Sequence, residues 1–256
     1  MPPSLKARFS ASGIHLLISL TVAAAAAWLV FGLWYPYPYR EISGGRDLFF
    51  IVIAVDVVMG PLLTLAVFNR RKPVRELRRD LAVIGLLQVT ALAYGLWTVA
   101  VARPVHLVFE IDRFRVVHAI EIDKAEIALA PPGLRQLPWT GPTPVSLRAF
   151  QNDKEKIDLT MVALSGLSLS ARPALWQSYE LAKPQISRAA RPLTDLKTRF
   201  PQHVGAIDAA LKASDAGSRP GQSVGYLPMA GRDKFWTVLL DLNSTEVIAF
   251  VPIDSF

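Results

Sequence analysis

Three long apolar stretches open the chain. Residues 9–39 contain no Asp, Glu, Lys or Arg, residues 48–69 contain only Asp56, and residues 81–102 again contain none. A helix needs about 20 apolar residues to cross the hydrocarbon core of a bilayer. The pattern therefore predicts spans at Ile14–Tyr35, Leu48–Phe68 and Leu81–Ala102, making residues 13–102 a three-helix membrane domain behind a tail of residues 1–12. From residue 103 the pattern shortens to period two, which reads as strands. Val105–Ile111 and Phe114–Ile120 read as a hairpin turned at Asp112-Arg113, and Val145–Phe150 reads as a further strand. Lys154–Leu164 has helical spacing behind Asn152 and Asp153, either of which can cap it. Residues 184–213 read as short helices broken before Pro192 and Pro201, and Gly217–Gly221 as a flexible turn. Gly225–Met229, Phe235–Leu242 and Glu246–Ile253 read as three antiparallel strands. The expected fold of residues 103–256 is thus α+β with antiparallel strands, not alternating βαβ units.

Charge sharpens the picture. The net charge of +7 would suit a nucleic-acid binder, but residues 1–102 hold 10 basic and 5 acidic residues, whereas residues 103–256 hold 18 and 16. Most of the excess lies beside the apolar stretches, where it reports topology: short cytoplasmic loops are rich in Lys and Arg. Lys6 and Arg8 mark the tail, and Arg70, Arg71, Lys72, Arg75, Arg78 and Arg79 mark the connection between the second and third spans. Both are expected in the cytoplasm of a bacterial inner-membrane protein, with residues 103–256 in the periplasm. A basic start followed by Ala23–Ala27 also suits a signal peptide, but the apolar run continues to Trp34 and meets Tyr35, Tyr37 and Tyr39, an interfacial aromatic cluster that favours a retained span.

Within the spans, Asp56 is the one ionisable acid, and it costs several kcal/mol in lipid unless paired, wet or protonated. Pro61 removes a backbone hydrogen bond and Gly60 makes room for the resulting kink. At about 1.5 Å per residue, Asp56 lies about 19 Å above the cytoplasmic end of its span and Tyr94 about 20 Å above its own. Thr90 follows at about 15 Å and Gln88 at about 12 Å. Tyr94 is thus the expected partner of Asp56, Thr90 the next, and His15 is expected at the interface, too shallow to reach it. The Ala23–Ala27 strip offers a surface for close helix approach.

Chemistry-bearing motifs are scarce. The sequence has no cysteine, no nucleophile elbow, no phosphate-binding loop and no His-Glu-x-x-His, and its four histidines are scattered. Asp112, Glu121, Asp123 and Glu126, interleaved with Arg113, Arg115 and Lys124, read as a solvated face rather than acid–base machinery. No enzyme activity, cofactor or metal is expected. Aromatics stand out instead: Trp139, Trp176, Tyr179, Tyr226, Phe235, Trp236 and Phe256 can form core or line a peptide groove.

Several segments carry a family resemblance. They are Gly13–Ser19, Val55-Asp56-Val57-Val58-Met59-Gly60-Pro61-Leu62-Leu63-Thr64, Asp80–Ile84 with Gln88 and Tyr94-Gly95, and Ala102–Val105 with Phe109–Phe114. Tyr226–Met229, Phe235–Val238 and the terminal Pro252–Phe256 complete the series. In this order the chain resembles the TfpX/TfpZ family of type IV pilin accessory proteins over nearly its whole length. The resemblance implies an inner-membrane chaperone that stabilises a cognate type IV pilin before pilus assembly, with the lipid bilayer and the pilin as partners. Asp56, Gly60, Pro61, Thr90, Tyr94, Trp139 and Trp176 are the candidate partner-binding residues. The alternative is a membrane-anchored periplasmic ligand sensor, for which the cytoplasmic side offers no output domain.

Overall fold

The structure, a computed structural model, describes residues 3–69, 71–214 and 223–256. The predicted turn Gly217–Gly221 lies outside the described residues. The chain divides into two compact units, one ending at Ala102 and the other comprising Arg103–Phe256.

The first unit is helical. α1 (Pro3–Trp28) passes into a π-helical segment, Leu29–Trp34. A short α2 (Tyr39–Ile42) leads to α3 (Gly45–Ala54), a second π-helical segment (Val55–Met59) and α4 (Gly60–Val67), which together form one continuous rod. α5 (Val74–Val101) completes the unit. Leu5–Trp34, Gly45–Val67 and Val74–Val101 are each long and apolar enough to cross a membrane, and Leu17, Ile51 and Leu86 are among the apolar side chains they turn outward. Such outward faces fit lipid, where apolar surface carries no hydration penalty, and associate this unit with a membrane.

Small side chains and one tyrosine set the helix packing. Ala26, Val30, Tyr35, Phe49 and Val99 form a buried cluster, and the Tyr35 hydroxyl donates to the Val99 carbonyl at 3.1 Å. A Cβ on Gly95 would stand 2.5 Å from a Val52 methyl, so a glycine is what lets α5 approach α3 here.

The second unit is built on one sheet. Its strands are β1 (Pro104–Phe109), β2 (Phe114–His118), β3 (Thr143–Leu147), β4 (Trp176–Ser178), β5 (Arg191–Pro192), β6 (Val224–Ala230), β7 (Phe235–Asp241) and β8 (Val247–Val251). The order is β4-β3-β1-β2-β6-β7-β8, with β5 also on β6. The sheet is mixed, which corrects the expectation of antiparallel strands. The β1–β2 and β6–β7–β8 hairpins are antiparallel as predicted, but β1 pairs with β3 in parallel and β2 pairs with β6 in parallel. Parallel partners need long crossovers, and local alternation carries no trace of a pairing made across such a distance.

One edge of β6 is divided between two neighbours. β5 takes Gly225 and Tyr226, β2 takes Met229 and Ala230, and Pro228, which has no N–H to give, falls between them. Among the described residues, two clusters mark the ends of the core. Val105, Val108, Val117, Val145 and Trp176 fill the β1–β3 end. At the other end, α8 (Leu193–Arg199) and α9 (Val204–Ala213) press Leu196 and Ile207 against Tyr226, Leu239 and Val251. α7 (Lys183–Ala189) precedes α8, and these three helices match the predicted breaks at Pro192 and Pro201.

α6 (Asp153–Leu164) starts as its sequence dictates. The Asn152 side chain accepts the Glu155 N–H at 2.8 Å, and Glu155 turns back to Arg148 at 2.7 Å. The Arg148 guanidinium and the Gln151 N–H hold the Glu155 carboxyl down at about 2. The acidic residues near the domain's start are paired as a solvated face would be: Asp112 with Arg113 at 2.7 Å, and Glu126 with Arg172 at 2.7 Å.

His106 is buried in β1. Its Nδ1 meets the Thr143 hydroxyl at 2.9 Å, and its ring lies 4.6 Å edge-on from Trp176. Burial pushes its pKa down to about 4. The folded state then binds fewer protons than the unfolded chain between pH 4 and the ordinary histidine value of 6.5, so stability falls as pH drops through that window. Urea unfolding of the full-length protein in detergent, followed by Trp fluorescence, is expected to show a loss of order 3 kcal/mol between pH 7 and pH 4. The His106→Gln variant should lose correspondingly less.

Candidate functional site

The functional candidate in the helical unit is built around a proline. In the π-helical segment Val55–Met59, each N–H reaches one residue further back than in an α-helix. One more step in that register would bring residue 61 to the Asp56 carbonyl, but residue 61 is Pro and has no N–H. Gln88 on α5 supplies the missing donor: its Nε2 donates to the Asp56 carbonyl at 3.1 Å. The space for that side chain is the space over Gly60, where a Cβ would stand 2.1 Å from Gln88 Nε2. Gly60, Pro61 and Gln88 are therefore one device.

The device extends to α1. The Ser12 hydroxyl donates to the Pro61 carbonyl at 2.8 Å. His15 Nε2 lies 2.7 Å from Gln88 Oε1, and His15 Nδ1 meets the Thr64 hydroxyl. The amide oxygen of Gln88 only accepts, so His15 Nε2 donates to it, and the ring is held between Gln88 and the Thr64 hydroxyl. All three rods are thereby tied by polar contacts at one level.

The Asp56 side chain is left over. It is 7% exposed, its Oδ1 has no hydrogen-bond partner, and it lines a pocket of about 170 Å³ shared with His15, Ser19, Ala23, Gly85 and Gln88.

Tyr94 and Thr90 do not meet Asp56: Tyr94 is 68% exposed beside Trp97, and the Thr90 hydroxyl donates to the Leu86 carbonyl on its own helix. α4 and α5 form an antiparallel pair about the turn near residue 72, which does put Thr90 close to Asp56 in height. Rotation decides against it. Gln88 and Gly95, seven residues apart, share the face that touches the neighbouring rod, and a residue two positions on from Gln88 points elsewhere. His15 joins the cluster through Thr64 and Gln88, and its hydrogen bonds do not extend to Asp56.

In the globular unit Trp176 is core: it is 1% exposed and its indole N–H donates to the Ser170 carbonyl at 2.7 Å. That removes it as a surface contact. Trp139 is 60% exposed, with the Arg103 guanidinium 4.0 Å over its ring. A groove of about 590 Å³ opens at the ends of β1 and β3, with Phe109, Ile111, Leu147, Phe150 and Leu167 among its walls and Arg115 beside them. Among the described residues no three His, Asp or Glu side chains gather as metal ligands would.

Comparison with known proteins places the chain. The family model described as Fimbrial assembly protein FimB matches residues 3–44. The fimbrial assembly protein of Dichelobacter nodosus serogroup I is 37% identical over 248 residues, 96% of this chain and 95% of the relative. The chain belongs to the fimbrial assembly protein family. The serogroup E1 protein of the same organism is 34% identical over 247 residues, again 96% of this chain and 95% of the relative. The protein of serogroups C1 and C2 is 46% identical over 106 residues, 41% of this chain and 81% of the relative. No solved structure matches. For this fimbrial assembly family member, Ser12 and His15 fall inside the segment that the family model matches, and they tie α1 to the Pro61 device.

Gln88→Leu is expected to destabilise the protein by about 1–2 kcal/mol, because it strands a carbonyl in lipid. In a Pro61→Ala background, which restores an N–H, the same change should cost less, the remainder being the lost contact of Gln88 with His15. Thermal unfolding of the four proteins in detergent micelles checks the cycle.

Proposed function

We propose that this protein is an inner-membrane accessory factor that binds a cognate type IV pilin and stabilises it before assembly, without enzymatic activity. The observation that carries the reading is the pocket at Asp56, a buried, unpartnered carboxyl on an otherwise apolar rod. An ionisable group held inside a membrane segment marks a functional contact by default. Ser19, Ala23 and Gly85 on its walls let another helix come close. A pilin before assembly is held in the membrane by one apolar helix, which is the kind of ligand such a wall fits. The relatives' role in fimbrial assembly agrees with this, as does the resemblance to TfpX/TfpZ proteins. The groove beside Ile111 and Phe150, with exposed Trp139 elsewhere on the domain, gives the globular unit apolar surface for the pilin head.

The orientation follows from charge. Lys6, Arg8 and the basic connection around Arg75 lie in the cytoplasm, and residues 103–256 in the periplasm. Alkaline phosphatase fused after Phe256 should be active, and inactive when fused at Lys72.

Filling the pocket tests the binding. Ala23→Leu and Gly85→Leu are expected to lower co-purification of the full-length protein with its host's major pilin by about tenfold, and to lower cellular pilin. Unchanged pull-down in both variants, with pilin levels unchanged in them and in a strain lacking the protein, would overturn the reading.

A further inference from the structure

We infer that the pocket at Asp56 receives one hydrogen-bond-donating side chain, a hydroxyl, amide or ammonium, carried into the bilayer by the partner's membrane helix. The inference rests on the pilin-binding reading and adds the chemistry of the contact.

The polar groups that repair the break at Pro61 are already engaged, and Ser19, the other polar side chain on the wall, makes no hydrogen bond to Asp56. His15 uses both ring nitrogens, on Thr64 and Gln88. Gln88 gives its amide N–H to the Asp56 backbone carbonyl, and Ser12 gives its hydroxyl to Pro61. The cluster therefore satisfies the backbone freed by Pro61 and supplies no donor to the Asp56 carboxyl, whose Oδ1 is without a partner. In hydrocarbon no water supplies one either, and an unpaired acceptor there costs several kcal/mol. A site that leaves one acceptor over inside a pocket is complementary to a ligand that brings one donor.

Size and walls limit what brings it. The pocket measures about 170 Å³. A cavity of about 150 Å³ holds a molecule the size of benzene, so the space takes a single side chain rather than a stretch of peptide. The remaining lining is apolar or small, Ile18, Val22, Ile53, Val89 and Leu92 with Ser19, Ala23 and Gly85, and it contains no second acid. Apolar walls around one acceptor describe a transmembrane helix that is apolar except at one position.

The chain has no cysteine, which makes the test direct. Val22→Cys and Val89→Cys at the pocket rim are each combined with single cysteines stepped along the membrane helix of the host's major pilin, and disulfides are formed in intact membranes. Crosslinks should recur with helical period and centre within one turn of a donor side chain. Asp56→Leu should lower their yield by about tenfold, and so should removal of the donor from the pilin. The two changes together should do no more than either alone. Membrane levels of the Asp56→Leu protein control for folding. Asp56→Asn keeps a carbonyl acceptor: retained crosslinking identifies a hydroxyl or amide donor, and loss identifies an ammonium. Periodic crosslinks that ignore both Asp56→Leu and the donor's removal overturn the inference and leave the pilin-binding reading intact. Absence of crosslinks from either rim position overturns both.

Discussion

A single missing hydrogen bond organises the helical unit. Lipid cannot hydrogen-bond an exposed carbonyl, so every backbone group within a membrane segment must find an internal partner. Pro61 breaks that rule at the Asp56 carbonyl, and the repair requires Gln88 from α5 and an empty position at Gly60. Once Gln88 is committed, its amide oxygen faces His15, and His15 in turn reaches Thr64. Register, rotation and spacing of three helices thus follow from a side chain that must lie where it does. The cost is a carboxyl that the repair leaves without a donor.

The globular unit uses a different economy. Among the described residues, two core clusters sit at opposite ends of one sheet, and β6 lies between them, meeting β2 and β5 along one edge and β7 along the other. Strands this enclosed are buried on both faces, as β1 is along its entire length. Side chains such as His106 then have to be accommodated neutral, against Thr143 and Trp176, in positions where a surface strand would have turned them to water.

What the sequence discloses depends on how local the cause is. The spans were legible because composition alone decides them, and the β1–β2 and β7–β8 hairpins because the turn lies between adjacent strands. The cap at Asn152 was legible for the same reason. The parallel pairings were not, since nothing near Phe114 indicates Met229. In the membrane, Asp56, Gly60 and Pro61 stood out as unusual residues. Their partner did not, because Gln88 was separated from them by rotation about α5 as much as by height. Trp176 was chosen for its chemistry, while its burial follows from β4 packing beside β3.

The parallel contact between β2 and β6 has a kinetic consequence. Phe114 and Arg115 must wait for Met229 and Ala230, more than a hundred residues later in synthesis. Until then the hairpin of β1 and β2 keeps an open edge, and closing so long a loop is slow compared with forming the hairpin itself. An unpaired strand edge on a nascent chain is a template for wrong association. The pairing at the middle of the sheet thus needs the longest loop to close, and the half made first carries an open edge while the chain is being made.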